Sequence, residues 1–160
     1  MTAIAWDGTY FVADKQGQNS DIKITTTKAF VNKKGDMVCG ISGYADNILT
    51  LRDWAFNTNM NAKKFPIFNR KDDGSVLTVI KREKNGFKIY RFEGEATPVI
   101  IEDRLYAAGS GRDVCLGAMH HGADAQDAVF IAHEVCTSVG EDQTVFKWDD
   151  DFKRFMGVIG

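Results

Sequence analysis

The chain has 160 residues, 44% of them hydrophobic and 26% charged, with 20 basic against 22 acidic side chains and a formal net charge of −2. A chain of that length buries about 70% of its unfolded surface, so a single domain over residues 1–160 is expected, and two prolines with no low-complexity tract exclude a disordered polymer. No apolar run reaches the ~18 residues of a membrane span, no secretory leader is expected, and the three distant cysteines Cys39, Cys115 and Cys136 exclude a disulfide scaffold, so the expected setting is cytoplasmic.

The first elements read as strands. Thr2 to Trp6 and Thr9 to Ala13 flank Asp7-Gly8, a hairpin signal. Ile22 to Thr27 is a β-branched run that Lys28 to Val31 extends, and Lys34-Gly35-Asp36 makes a turn. Met37 to Ser42 is an apolar strand ending at Gly43. Asp46 then caps a helix to about Met60, with Ile48, Leu51, Trp54 and Ala55 on its apolar face. Residues 57–74 are polar and read as a connector. Val76 to Lys81 and Phe87 to Phe92 form a second hairpin around Asn85-Gly86, followed by short strands at Val99 to Ile101 and Arg104 to Ala108.

From there the period changes. Asp113 to His121 reads as a helix stopped by Gly122, a residue suited to the left-handed position after a helix. Asp124 caps the next helix, whose predicted stripe is Ala128, Ile131, Ala132 and Val135. Gln143 to Trp148 closes the series as a strand. Strands, helix, strands, two helices and a strand predict an α+β fold of antiparallel sheets covered by helices rather than alternating βαβ units.

Charge is unevenly spread: residues 1–91 carry 15 basic and 9 acidic side chains, residues 92–160 carry 5 and 13. The basic set around Lys63, Lys64, Arg70, Lys71, Lys81, Arg82 and Lys84 is interrupted by Asp72, Asp73 and Glu83 and lacks interleaved aromatics. A solvated face, or complementary charge between neighbouring subunits, is therefore expected, and no nucleic acid. His120 and His121 point to different helix faces, and no zinc-ligand spacing occurs, so no metal is expected.

Thr2 is the residue with chemistry to offer. It follows Met1, and a small second residue generally permits removal of the initiator methionine. The exposed threonine would carry a nucleophile and a base together, because an α-amino group titrates at about 7.7–8.0 and can accept the hydroxyl proton near neutrality.

Thr2-Ala-Ile-Ala, a hairpin, Phe11-Val-Ala-Asp14, Lys28, Gly40-Ile-Ser-Gly43 with Ala45-Asp46, and Ala108-Gly-Ser-Gly111 occur in an order that resembles the proteasome β-subunit and HslV-type N-terminal nucleophile (Ntn) hydrolases, in particular their short bacterial and bacteriophage forms. The similarity runs from Thr2 to about Val145 with one large gap. It implies a four-layer αββα sandwich and acyl transfer through an ester intermediate without metal or cofactor. By the same resemblance Thr2 is the nucleophile, Asp14 holds the catalytic Lys28, Lys28 lowers the pKa of its neighbours, Gly43 supplies the oxyanion-hole N–H (Tyr44 being the alternative), and Ser110 hydrogen-bonds the threonine amine. Ser138, Gly140 and Asp142 fall where the family has a further support segment. The gap at residues 57–74 removes a helix and shortens one helical layer.

The implied activity is that of a threonine peptidase in a self-compartmentalising ring, acting on polypeptide, with identical subunits as partners and an ATP-dependent unfoldase as a further one. The alternatives are a catalytically inactive assembly or scaffold subunit and a small-molecule amide hydrolase on the same fold.

Overall fold

A computed structural model describes residues 2–67 and 74–159. The basic residues Arg70 and Lys71 and their acidic neighbours Asp72 and Asp73 lie outside the described residues, as does Met1. The protein is α+β, with three α-helices among the described residues and antiparallel sheets.

One five-stranded sheet has the order β10-β1-β2-β11-β12, built from Tyr106–Ala108 (β10), Ile4–Trp6 (β1), Tyr10–Asp14 (β2), Gln143–Asp149 (β11) and Arg154–Gly157 (β12). The other runs β5-β6-β7-β8-β9, from Ala29–Val31 (β5), Met37–Ser42 (β6), Val76–Glu83 (β7), Gly86–Glu93 (β8) and Val99–Ile101 (β9). Gln16–Asn19 (β3) and Ile22–Thr25 (β4) pair only with each other, as an outlying hairpin.

Side-chain alternation along the strands sorts the core into three clusters. Ile4, Phe11 and Ala108 of the first sheet meet Val38, Ile80 and Ile89 of the second. Gly40 makes that contact close, since a Cβ there would come within 2.9 Å of both Ile4 and Phe11. The opposite face of the first sheet, Ala3, Ala5 and Val12, packs against helices Arg112–His120 (α2) and Ala125–Val135 (α3). The opposite face of the second sheet, with Cys39, Ile41 and Leu77, packs against Ile48–Thr58 (α1) through Leu51, Trp54 and Ala55.

A buried polar link also crosses between the sheets, away from the chain's first residues. The Tyr106 hydroxyl lies 2.7 Å from Thr78 Oγ1, which is fully buried, and accepts from Arg91 Nη1 at 2.9 Å. Tyr106→Phe leaves the Thr78 hydroxyl without that partner in the interior. The expected cost is about 1–3 kcal/mol of unfolding free energy, read from urea denaturation, with the fold retained.

Several expectations shift in detail. Asp46 does not cap α1: it lies in a short 3-10 turn, Ala45–Asn47, and the cap is Asn47 without a side-chain hydrogen bond. The run from Ile22 ends at Thr25, and residues 26–28 leave the hairpin before β5 joins the second sheet. The first hairpin takes four turn residues because Trp6 pairs with Phe11, and the Asp7 carboxylate closes it by accepting from Thr9 and Tyr10 N–H. The second turns at Lys84-Asn85, since Glu83 pairs with Gly86. In α3 the buried stripe is Ala125, Ala128, Val129 and Ala132, so Ile131 and Val135 face outward. The Asp124 cap holds, its carboxylate accepting the Asp127 N–H at 2.8 Å. So does the stop at Gly122, where Ala123 N–H bonds the Ala118 carbonyl and Gly122 N–H that of Met119.

Candidate active site

β1 is flanked by β2 and β10, so Thr2 lies two residues before a strand that is paired on both sides. Asp14 N–H bonds the Ala3 carbonyl at 3.1 Å, and Gly111 N–H bonds the Thr2 carbonyl at 3.2 Å. Thr2 is 1% exposed. The loop between β10 and α2 wraps it closely: Gly109 has φ +88°, and a Cβ there would overlap the Thr2 carbonyl. Glycine meets both demands. The Gly109-Ser110-Gly111 segment is thereby shaped around Thr2 itself.

Ser110 Oγ accepts the Thr2 N–H at 3.3 Å and lies 3.0 Å from Ser138 Oγ. On the other side, Lys28 reaches in from the segment before β5. Its Nζ donates to Thr2 Oγ1 at 3.1 Å and to Asp14 Oδ1 at 3.0 Å. Lys28 is 3% exposed and Asp14 not at all. The pair bridges the two sheets, since Asp14 ends β2 in the first and Lys28, whose carbonyl accepts the Ile41 N–H of β6 at 2.9 Å, is tied to the second.

Asp14 is fully satisfied. Oδ1 accepts from Ala3 N–H (2.9 Å) and Lys28, and Oδ2 from Gln16 N–H (3.1 Å) and Gly140 N–H (2.9 Å). One ammonium and three backbone donors hold the carboxylate in place, and it in turn fixes the lysine that faces the hydroxyl. Burial pushes the Lys28 ammonium below its ordinary value of 10.5, while Asp14 opposes that shift by its charge and its hydrogen bond.

Thr2, Asp14, Lys28 and Ser110 thus form one hydrogen-bonded cluster. Gly43 is positioned differently: it follows β6, with φ +114°, is exposed, and sits so close to Ser75 that a Cβ would come within 2.7 Å of the Ser75 Cα. Of the support residues, Ser138 joins through its hydroxyl and Gly140 through its N–H, whereas Asp142 takes part through its carbonyl, which accepts Lys15 N–H at 2.9 Å. The N–H groups of Ala3 and Gln16 are further members that no sequence motif marks.

Other reactive groups stand apart from this chemistry. Cys39 and Cys115 are buried, and burial pushes both thiols up, Cys115 to about 12, away from the thiolate form that nucleophiles need. Among the described residues no group of three or more His, Cys, Asp or Glu side chains could hold a metal ion, and no helix is long and apolar enough to cross a membrane. The arrangement offers a hydroxyl facing a buried ammonium, with the nitrogen of the same residue donating to Ser110, whose hydroxyl in turn meets that of Ser138. No known family model matches the chain, and no curated protein matches its sequence.

Proposed function

We propose that the protein is a threonine-type peptidase of the N-terminal nucleophile class, with Thr2 as nucleophile once Met1 is removed. The observation that carries the reading is the 3.1 Å contact between the buried Lys28 Nζ and Thr2 Oγ1, backed by Asp14 and set opposite Ser110 at the threonine nitrogen. Two helices, two facing sheets and a third helix, in that packing order, support the four-layer αββα sandwich as the finer description of the fold, with α1 as the shortened helical layer.

The chemistry follows from the geometry. Loss of Met1 turns the Thr2 nitrogen from an amide into an amine within reach of Ser110. The amine accepts the Oγ1 proton while Oγ1 attacks the substrate carbonyl, and the Lys28 ammonium stabilises the developing charge on Oγ1. The N–H of Gly43, an exposed residue just after β6, is the oxyanion donor in this reading. The protonated amine then passes its proton to the leaving amine, which departs and leaves an ester. Water cleaves the ester with the same amine as base. Polypeptide is the proposed substrate, and further copies of this chain the proposed partners, in a ring.

The test is the intact mass of the native protein before and after an N-terminal-threonine-directed epoxyketone, which needs both a hydroxyl and a free amine. Loss of the Met1 mass and one adduct per chain are expected. Thr2→Ala should take up no adduct and turn over no peptide. Retained Met1 with no adduct overturns the reading in favour of a non-catalytic scaffold subunit. Adduct formation with turnover of small amides but not peptides moves the substrate class to small molecules.

A further inference from the structure

The residues displaced from the predicted core of α3 form a surface of their own. Asp127, Phe130, Ile131, Glu134 and Val135 follow the i, i+3, i+4, i+7, i+8 spacing of one helical face, and all are exposed. Val135 is 67% exposed and Phe130 45%, which is unusual for large apolar side chains lying side by side. The ridge stands in an acidic setting, since residues 102–142 carry eight acidic and two basic side chains.

A complementary surface lies elsewhere on the molecule. An open cleft of about 1230 Å³ runs between edge strand β5, α1 and the strands β11 and β12. Five basic and two acidic side chains line it. The two acids are already occupied, Asp36 by Lys34 and Asp53 by Arg52. Lys15, Lys33 and Lys81 have no carboxylate partner among the described residues. Phe30 and Phe56, both partly exposed, supply apolar wall between them.

We propose that the α3 ridge of one copy docks in the β5–α1 cleft of a second copy, as an amphipathic helix lies in a groove. Both halves of the fit are on one chain: apolar anchors against aromatic wall, and Asp127 and Glu134 against lysines that lack a carboxylate partner, of which Lys81 donates only to the neutral Asn59 side chain. A copy cannot satisfy its own cleft, because α3 is packed with its buried face on the first sheet and its ridge turned outward, away from the β5, α1, β11 and β12 residues that line the cleft. The contact joins two different patches and is heterologous, so each copy that docks still offers one free ridge or cleft until the chain of contacts closes. The inference rests on the self-assembly half of the proposed function and is independent of the chemistry at Thr2.

Native mass spectrometry and sedimentation velocity on the full chain test it through two pairs of reversals at surface positions. Asp127→Lys with Glu134→Lys, or Lys33→Glu with Lys81→Glu, should each weaken association by about tenfold or more, and raising salt to about 0.5 M should weaken that of the unaltered chain. Mixing the two variants should restore association, because the reversed ridge then meets a reversed cleft. A misfolded variant could not complement in this way. Thr2→Ala should assemble like the unaltered chain, whatever the fate of the catalytic reading. Undiminished assembly of both reversed variants, or failure of the mixture to recover, overturns the docking site. A chain that stays monomeric throughout overturns docking and ring together, leaving the epoxyketone result to stand by itself.

Discussion

Lys28→Met should lower kcat for peptide cleavage by about 10²–10³, the range seen when one group aimed at developing charge is removed. Methionine keeps the length and apolar stem of the buried side chain and deletes only the ammonium, which stands 3.1 Å from Thr2 Oγ1. The pH profile separates a catalytic lysine from a merely structural one. Activity of the unaltered protein should rise as the Thr2 amine sheds its proton, at about pH 7.7–8.0. It should fall again on the alkaline side as Lys28 deprotonates. Burial lowers the Lys28 pKa, so this second limb belongs below pH 10.5, the ordinary lysine value. In Lys28→Met the rising limb should persist and the lysine-dependent fall should disappear. Turnover within about twofold of the unaltered chain, with both limbs intact, would remove Lys28 from the chemistry.

How much of this was legible beforehand depends on how local each signal is. The four residues Ile48, Leu51, Trp54 and Ala55 are all buried as their spacing predicts, because α1 lies on a sheet with one face. In α3 the buried face lies further round the helix than the stripe its hydrophobic spacing predicts. Alanines at 125, 128 and 132, with Val129, fit the close approach to Ala3, Ala5 and Val12, and that preference for small side chains is invisible to a rule that ranks residues by hydrophobicity. The β3 strand, Gln-Gly-Gln-Asn, has no alternation to read, since neither face of its hairpin enters the core. At the site, Thr2, Asp14, Lys28 and Ser110 were legible only as an ordered set, each being commonplace alone. The Gly140 N–H donates to Asp14 across 126 positions of chain, and such backbone donors exist only once the loops have closed.

That closure makes Asp14→Asn the most costly change expected at the site. The substitution keeps shape and volume, yet the carboxylate accepts four hydrogen bonds and donates none. An asparagine that turns its oxygen to Ala3 and Lys28 presents its NH₂ to the N–H groups of Gln16 and Gly140. Flipped, it presents the NH₂ to Ala3 and to the ammonium. Donors face donors either way, and Lys28 loses its ion pair with the Asp14 carboxylate. Removing one partner of a buried ion pair costs about 3–5 kcal/mol, which for a chain of this size lowers Tm by roughly 10 °C. Urea unfolding monitored alongside peptide turnover should show both losses. Adding Lys28→Met to Asp14→Asn should recover part of the stability, since no unpaired charge remains, and none of the activity. A single variant as stable as the unaltered chain would mean that Asp14 is not the buried acceptor on which the two sheets and the lysine converge.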